Sequence, residues 1–171
     1  MSKEYPNPIK SSFAPIADKE TQILILGSLP GDKSLAENEY YAHPRNRFWR
    51  IIAEIIGYDF STNYIEKLEM LRQNKIGVWD VVNSAKRTGS LDTNILDEVP
   101  NDLEGFIEEH PKLKIIAFNG AKSQKLFDKY FTRKATLKYL ALPSTSPANA
   151  KMSFEIICQK WKEILPANPH Q

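Results

Sequence analysis

The ten residues Tyr40-Tyr41-Ala42-His43-Pro44-Arg45-Asn46-Arg47-Phe48-Trp49 hold four aromatic rings, two arginines, an asparagine and a histidine. Rings stack on flat ligands, guanidinium groups pair with anions, and an asparagine amide both donates and accepts hydrogen bonds. Tyr40 and Tyr41 stand outside the helical period that starts at Phe48, so one of them can offer a ring face to a ligand such as a nucleobase, unless both are ordinary surface tyrosines. Phe48 and Trp49 open an amphipathic run and read as core residues. His43 precedes a proline and has no second histidine nearby, which suits a turn or a hydrogen bond rather than a metal ligand.

Two further segments carry chemical potential. Gly27-Ser28-Leu29-Pro30-Gly31-Asp32-Lys33-Ser34 has the glycine, lysine and serine spacing of a phosphate-cradling loop. Asp32 precedes the lysine where glycine is wanted and would repel a phosphate, while Pro30 removes an amide from the cradle. Leu142-Pro143-Ser144-Thr145-Ser146-Pro147-Ala148-Asn149 sets three hydroxyls between two prolines. That suits close approach to a phosphate backbone, and equally a turn in which Ser146 or Asn149 caps the last helix.

The elements that position these segments alternate. Short, largely apolar runs at Ile23–Leu26, Ile76–Val82, Leu113–Phe118 and Tyr139–Leu142 read as strands covered on both faces. Between and after them, helical periods run through Phe48 to Ile56, Ile65 to Leu71, Leu103 to Ile107, Leu126 to Tyr130 and Phe154 to Ile164. Gly57 can end the first helix, Thr62 can cap the second, and Asn101 with Glu104 resembles a capping box for the third. The alternation predicts a three-layer α/β/α fold on a central four-stranded parallel sheet, with ligands beyond the carboxyl ends of the strands. That selects Gly27 to Asn46, Asn83 to Asn94, Asn119-Gly120 and Pro143 to Asn149. Pro6, Pro8 and Pro15 mark residues 1–20 as an arm without regular structure, ahead of a single domain over 21–171.

The 171 residues are 42% hydrophobic and 26% charged, proportions that favour one folded domain over a disordered or fibrous chain. The apolar runs fall far short of the roughly 20 residues of a membrane span. Met1 to Ser12 lacks a secretory pattern, so an intracellular, cytoplasmic location is expected. The single Cys158 excludes an intrachain disulfide and a thiolate cluster. Net charge is only +2, but Lys112 to Lys138 holds eight basic residues and one acid while residues 51–100 carry a net −3. That asymmetry can steer a polyanion to one side, or mark a solvated helix face.

The segments GSLPGDKSL, YYAHPRNRFW, GVWDVV, GSLD, AFNG and LPSTSPANA, in that order over residues 27–150, resemble the uracil-DNA glycosylase superfamily, and most closely its hypoxanthine-DNA (deoxyinosine) glycosylase branch, which is related to the mismatch-specific branch. The resemblance implies a monofunctional repair glycosylase that flips a deaminated base, hypoxanthine first and uracil or xanthine as alternatives, out of DNA and hydrolyses its N-glycosidic bond. It implies DNA as partner, no metal or organic cofactor, and a monomer.

In the mismatch-specific branch an asparagine just before the proline of the first loop serves catalysis; here that position is Leu29, which binds no water. The resemblance transfers the catalytic role to Asn46 and base stacking to Tyr41. Gly27, Ser28, Asp80 and Asn119 are the implied base-binding residues. Asp80 stands near where the uracil-specific branch has a base-reading asparagine, and either accepts from N1–H of hypoxanthine or is a buried structural aspartate. Ser144, Thr145, Ser146 and Asn149 match the loop that meets the duplex. A DNA-binding module without chemistry, favoured by Leu29, and a phosphate-loop nucleotide enzyme remain as alternatives.

Overall fold

The computed structural model describes residues 7–167. In chain order its elements are β1 (Ile9–Ser11), β2 (Ile23–Gly27), α1 (Asp32–Glu37), α2 (Phe48–Ile56), α3 (Tyr64–Gln73), β3 (Ile76–Asp80), β4 (Val82–Lys86), β5 (Leu96–Pro100), α4 (Leu103–Glu109), β6 (Ile115–Asn119), α5 (Ala121–Tyr130), β7 (Lys138–Leu142) and α6 (Phe154–Trp161). The central sheet has the order β3-β2-β6-β7 and every pairing in it is parallel.

Strand alternation divides the core in two. Ile23 and Ile25 of β2 join a cluster with Ile51 and Ile52 of α2, Leu71 of α3 and Trp161 of α6. Leu24 and Leu26 point the other way, into a cluster with Phe106 of α4, Phe118 of β6 and Phe127 of α5. Successive residues of one strand feed both faces, which is why these strands lack a polar alternation. The α/β/α layering expected for the chain is therefore present.

A second sheet, antiparallel with the order β1-β4-β5, stands beside the α4 and α5 layer and was not foreseen. The apolar run expected as one strand over Ile76–Val82 breaks at Val81, whose N–H still bonds to Gly27 carbonyl at 2.9 Å. The chain then leaves as β4 through residues expected to be loop. The arm is likewise not wholly irregular: Ile9–Ser11 pairs with β4 and Ile16 bridges to Val78, while residues 1–6 of it lie outside the described residues.

Three capping expectations shift. Asn63, not Thr62, accepts from Glu66 N–H at α3, and Asp102, not Asn101, accepts from Gly105 N–H at α4. Asn101 turns inward instead, donating to the carbonyls of Asp80 at 2.8 Å and Val82 at 3.2 Å, so it satisfies backbone exposed where the chain changes sheets. Ser153 caps α6, which frees the segment before it from that duty. Gly57 ends α2 as expected, at φ 78°.

Candidate active site

The last residues of the four parallel strands are Gly27, Asp80, Asn119 and Leu142, and they meet at the floor of a cleft of about 1040 Å³. Asn46, Tyr41, Ser28 and the Ser144–Asn149 loop also line it, so every residue that the family resemblance implied for the site lines one cavity. The volume lies at the top of the roughly 300–1,000 Å³ usual for ligand clefts.

Tyr41 is held under strain. Its φ is +54°, in the left-handed region that a bulky side chain rarely enters. The conformation stacks its ring on Phe48, with centroids 4.2 Å apart, and buries its hydroxyl without a hydrogen-bond partner. Tyr40 differs: it is buried, and its hydroxyl donates to Ala14 carbonyl at 3.0 Å. Both tyrosines border the cleft, but Tyr40 has its hydroxyl tied to the backbone, whereas the Tyr41 hydroxyl has no partner.

Gly27 permits a close approach at this point. A Cβ built there would lie 2.5 Å from Asp80 Oδ1 and 3.1 Å from the Tyr41 hydroxyl. Asp80 is 3% exposed and its Oδ2 has no partner. Burial, with the Asp92 carboxylate adding to it and Arg87 opposing, pushes the Asp80 carboxyl up to about 7. Burial and the neighbouring Asp80 charge likewise push the Tyr41 phenol upward, so it stays protonated.

Asn46 sits just ahead of α2. Its Oδ1 accepts from Phe48 N–H at 3.0 Å, which fixes the amide orientation and leaves Nδ2 without a partner among the described residues. Two N–H donors and a second lone pair on Oδ1 remain for a ligand or a water. His43 makes the turn before it, its Nδ1 accepting from Arg45 N–H at 3.1 Å.

The fourth loop is rigid. Arg47 donates to the carbonyls of Met152 at 2.6 Å and Asn149 at 2.9 Å, and its N–H to Thr145 carbonyl at 3.1 Å. Thr145 is fully buried and exchanges two 3.0 Å bonds with the Asn119 side chain, tying the ends of β6 and β7 together. Ser144 and Ser146 each accept a backbone N–H, at 3.1 and 3.2 Å, so their own O–H protons remain free to donate. Asn149 turns back to donate to Ser144 carbonyl at 2.9 Å.

Two contributors were missed in the sequence. Asp92, in the segment between β4 and β5, accepts from Ser28 Oγ at 2.5 Å and lines the cleft. Arg87 is fully buried and donates to the carbonyls of Leu29, at 3.5 Å, and Pro30. Both lie in the connection between β4 and β5, inside the segment Asn83 to Asn94 selected from sequence and, for Asp92, in the GSLD match, but neither was singled out as a site residue. The segment with phosphate-loop spacing does not form a cradle: Asp32–Glu37 is helix, Lys33 pairs with Glu37 at 2.7 Å, and Ser34 Oγ accepts from Ala42 N–H at 3.1 Å.

Residues 14–165 match the family model of the uracil DNA glycosylase superfamily. The chain belongs to that superfamily. It is 50% identical over 115 residues to a hypoxanthine DNA glycosylase of Methanosarcina barkeri, covering 67% of this chain and 73% of that one. A hypoxanthine DNA glycosylase of Methanosarcina acetivorans is 42% identical over 146 residues, covering 85% and 91%. A solution NMR structure from Methanosarcina acetivorans, described as a candidate uracil DNA glycosylase, superposes with a TM-score of 0.76 at 37% identity, over 92% of this chain and 99% of that one. As a DNA glycosylase of this superfamily, the chain is a hydrolase of DNA repair. No helix among its described residues is long and apolar enough to cross a membrane.

Proposed function

We propose that this glycosylase removes hypoxanthine from DNA, flipping deoxyinosine into the cleft and hydrolysing its N-glycosidic bond. The observation that carries it is the convergence of Asn46, Tyr41 and Asp80 in one cleft, with Leu29 buried nearby and unable to hold a water. The two relatives named hypoxanthine DNA glycosylase agree with this reading.

Extrusion exposes a bond that stacking hides, at a cost of a few kcal/mol that is least for a poorly paired base. The Tyr41 ring, already stacked on Phe48, receives the flipped purine. Asp80 meets its lactam edge: in either protonation state an oxygen accepts from N1–H, and the neutral acid also donates to O6.

As the bond from C1′ to N9 breaks, positive charge grows on the sugar and negative charge on the purine. Asn46 holds the attacking water by donating through Nδ2 and accepting through Oδ1. The water oxygen bonds to C1′ and releases a proton, and the departing base takes one up. Fixed donors at the purine need no reorganisation as its charge develops. The free O–H groups of Ser144 and Ser146 suit phosphate oxygens, and Thr145, Asn119 and Asn149 hold that loop in shape.

The test is release of free hypoxanthine from a deoxyinosine oligonucleotide by purified protein, followed by chromatography, beside uracil and xanthine substrates. Uracil shares the lactam edge, so uracil release without hypoxanthine release would reassign the lesion. Binding without release of any base would make the protein a DNA-binding module.

A further inference from the structure

The basic stretch that made a DNA-binding side plausible is mostly at the wrong end of the molecule. Parallel strands place the cleft at their carboxyl ends, whereas Lys138 opens β7 and Lys114 directly precedes β6. Five-residue strands at roughly 3.3 Å per residue put those amino ends about 15 Å away. Other members are neutralised in place: Lys112 pairs with Glu20 at 2.6 Å, Lys129 with Glu98 at 2.7 Å and Arg133 with Asp128 at 3.0 Å. Of the stretch, Lys122 lines the cleft.

The cations that do line the cleft are Lys33, Arg45 and Lys122. Lys33 is held by Glu37, while Arg45 and Lys122 have no carboxylate within 4.0 Å among the described residues. Arg45 projects from the tyrosine-rich loop next to Asn46, and Lys122 from the first turn of α5, beyond the end of β6. Asp32, Asp80 and Asp92 also line the cleft; Asp32 is paired with Lys10 and Arg87 lies near the other two, so Arg45 and Lys122 are the cleft cations left unpaired for a polyanion.

We propose that Arg45 and Lys122 are the residues that grip the DNA backbone, binding phosphates beside the flipped nucleotide, and that the lysines at the amino ends of the strands do not touch DNA. Arg45 suits a bidentate contact to a phosphate and Lys122 a point-charge contact. This rests on the cleft being where DNA binds, but not on which base is removed.

The test uses undamaged duplex, so lesion identity does not enter. Affinity is measured from 50 to 200 mM salt for wild type, for Arg45→Ala with Lys122→Ala, and for Lys114→Ala with Lys138→Ala. Each phosphate contact contributes about 0.9 to the slope of log affinity against log salt, so the first double variant loses about 1.8 of slope. Over that fourfold range wild-type affinity then falls about twelvefold more than the variant's. The second double variant keeps the wild-type slope, and both keep the wild-type melting temperature because neither pair holds a partner. A wild-type slope in Arg45→Ala with Lys122→Ala, or a reduced slope in Lys114→Ala with Lys138→Ala, overturns the assignment. A wild type that binds no duplex at any salt overturns the cleft as a DNA site, and the assignment with it.

Discussion

Asp80→Asn separates a carboxyl that is desolvated from one that is merely hidden. The side chain is 3% exposed, and its carboxyl rises from an ordinary 3.8 to about 7, chiefly through burial. With the folded pKa above the unfolded one, the folded state holds more protons between these values, so stability falls as pH rises through that window. Stability from Asp80 is fully present below pH 4 and lost by about pH 8. At 1.36 kcal/mol per unit, the full cost of ionising it in place is about 4 kcal/mol. Integrated from pH 5 to pH 8, the Asp80 contribution falls by about 2–3 kcal/mol.

The asparagine variant keeps the shape without the titration. It brings a penalty of its own, because a buried amide N–H beside Gly27 leaves an unmet donor that costs about 1–3 kcal/mol. That penalty is the same at both pH values, and all other titrating groups are common to the two proteins. The difference between variant and wild type, measured by urea unfolding at pH 5 and at pH 8, should therefore move by about 2–3 kcal/mol in favour of the variant at pH 8. In base release, the wild-type rate should change slope near pH 7 and the variant rate should not. An unfolding difference equal at both pH values, within about 0.5 kcal/mol, would refute the desolvation argument and return Asp80 to an ordinary, water-reached carboxylate.

Asn46→Ala should lower hypoxanthine release by about 100-fold or more, as loss of a fixed hydrogen-bonding group does, and cost about 1 kcal/mol by freeing Phe48 N–H; full activity would remove Asn46 from the reaction. Gly27→Ala forces a Cβ onto Asp80 Oδ1 at 2.5 Å, so thermal melts should show a loss of about 1–3 kcal/mol, with activity falling further than stability explains. Arg87→Met removes the donors to the Leu29 and Pro30 carbonyls and should destabilise by about 3 kcal/mol in urea titrations; a neutral result would show that those carbonyls find other partners. Borohydride added during turnover should trap no protein–DNA adduct, since the lysines lining the cleft are Lys33, paired with Glu37, and Lys122, assigned above to a phosphate; a stable adduct would assign a lysine nucleophile.

The central sheet was legible because burial on both faces removes polar residues from its strands, as in Ile23-Leu24-Ile25-Leu26. The small sheet was not, because its strands carry surface composition: β4 reads Val-Asn-Ser-Ala-Lys and β5 Leu-Asp-Glu-Val-Pro. Its register also shifts between Val82 and Ser84 and again between Ser84 and Lys86, which breaks any period of two. The same divide runs through the site. Gly27, Asp80 and Asn119 could be read from strand ends, whereas Asp92 meets Ser28 across 64 positions and Arg87 meets Pro30 across 57. The backbone of Tyr41 was invisible for another reason. Left-handed φ is normally announced by glycine or asparagine, and here tertiary packing imposes it on tyrosine.

Leu29 bears on where the proposed chemistry sits. It is 6% exposed and belongs to the buried cluster with Leu26, Val82 and Phe118, while Arg87 holds its carbonyl from the small sheet. Leu29 also lines the cleft, so this wall of the site is apolar and continuous with the core under the small sheet. In the proposed reaction the water-holding amide is that of Asn46, and Phe48 supplies its support. Its N–H fixes Asn46, its ring carries Tyr41, and its own burial is complete. One core residue thus supports both the amide proposed to hold water and the ring proposed to receive the base. Because α2 packs with α6 in the same cluster, Phe48 anchors the loop that carries both groups to packed helices, the kind of support that keeps side chains in place.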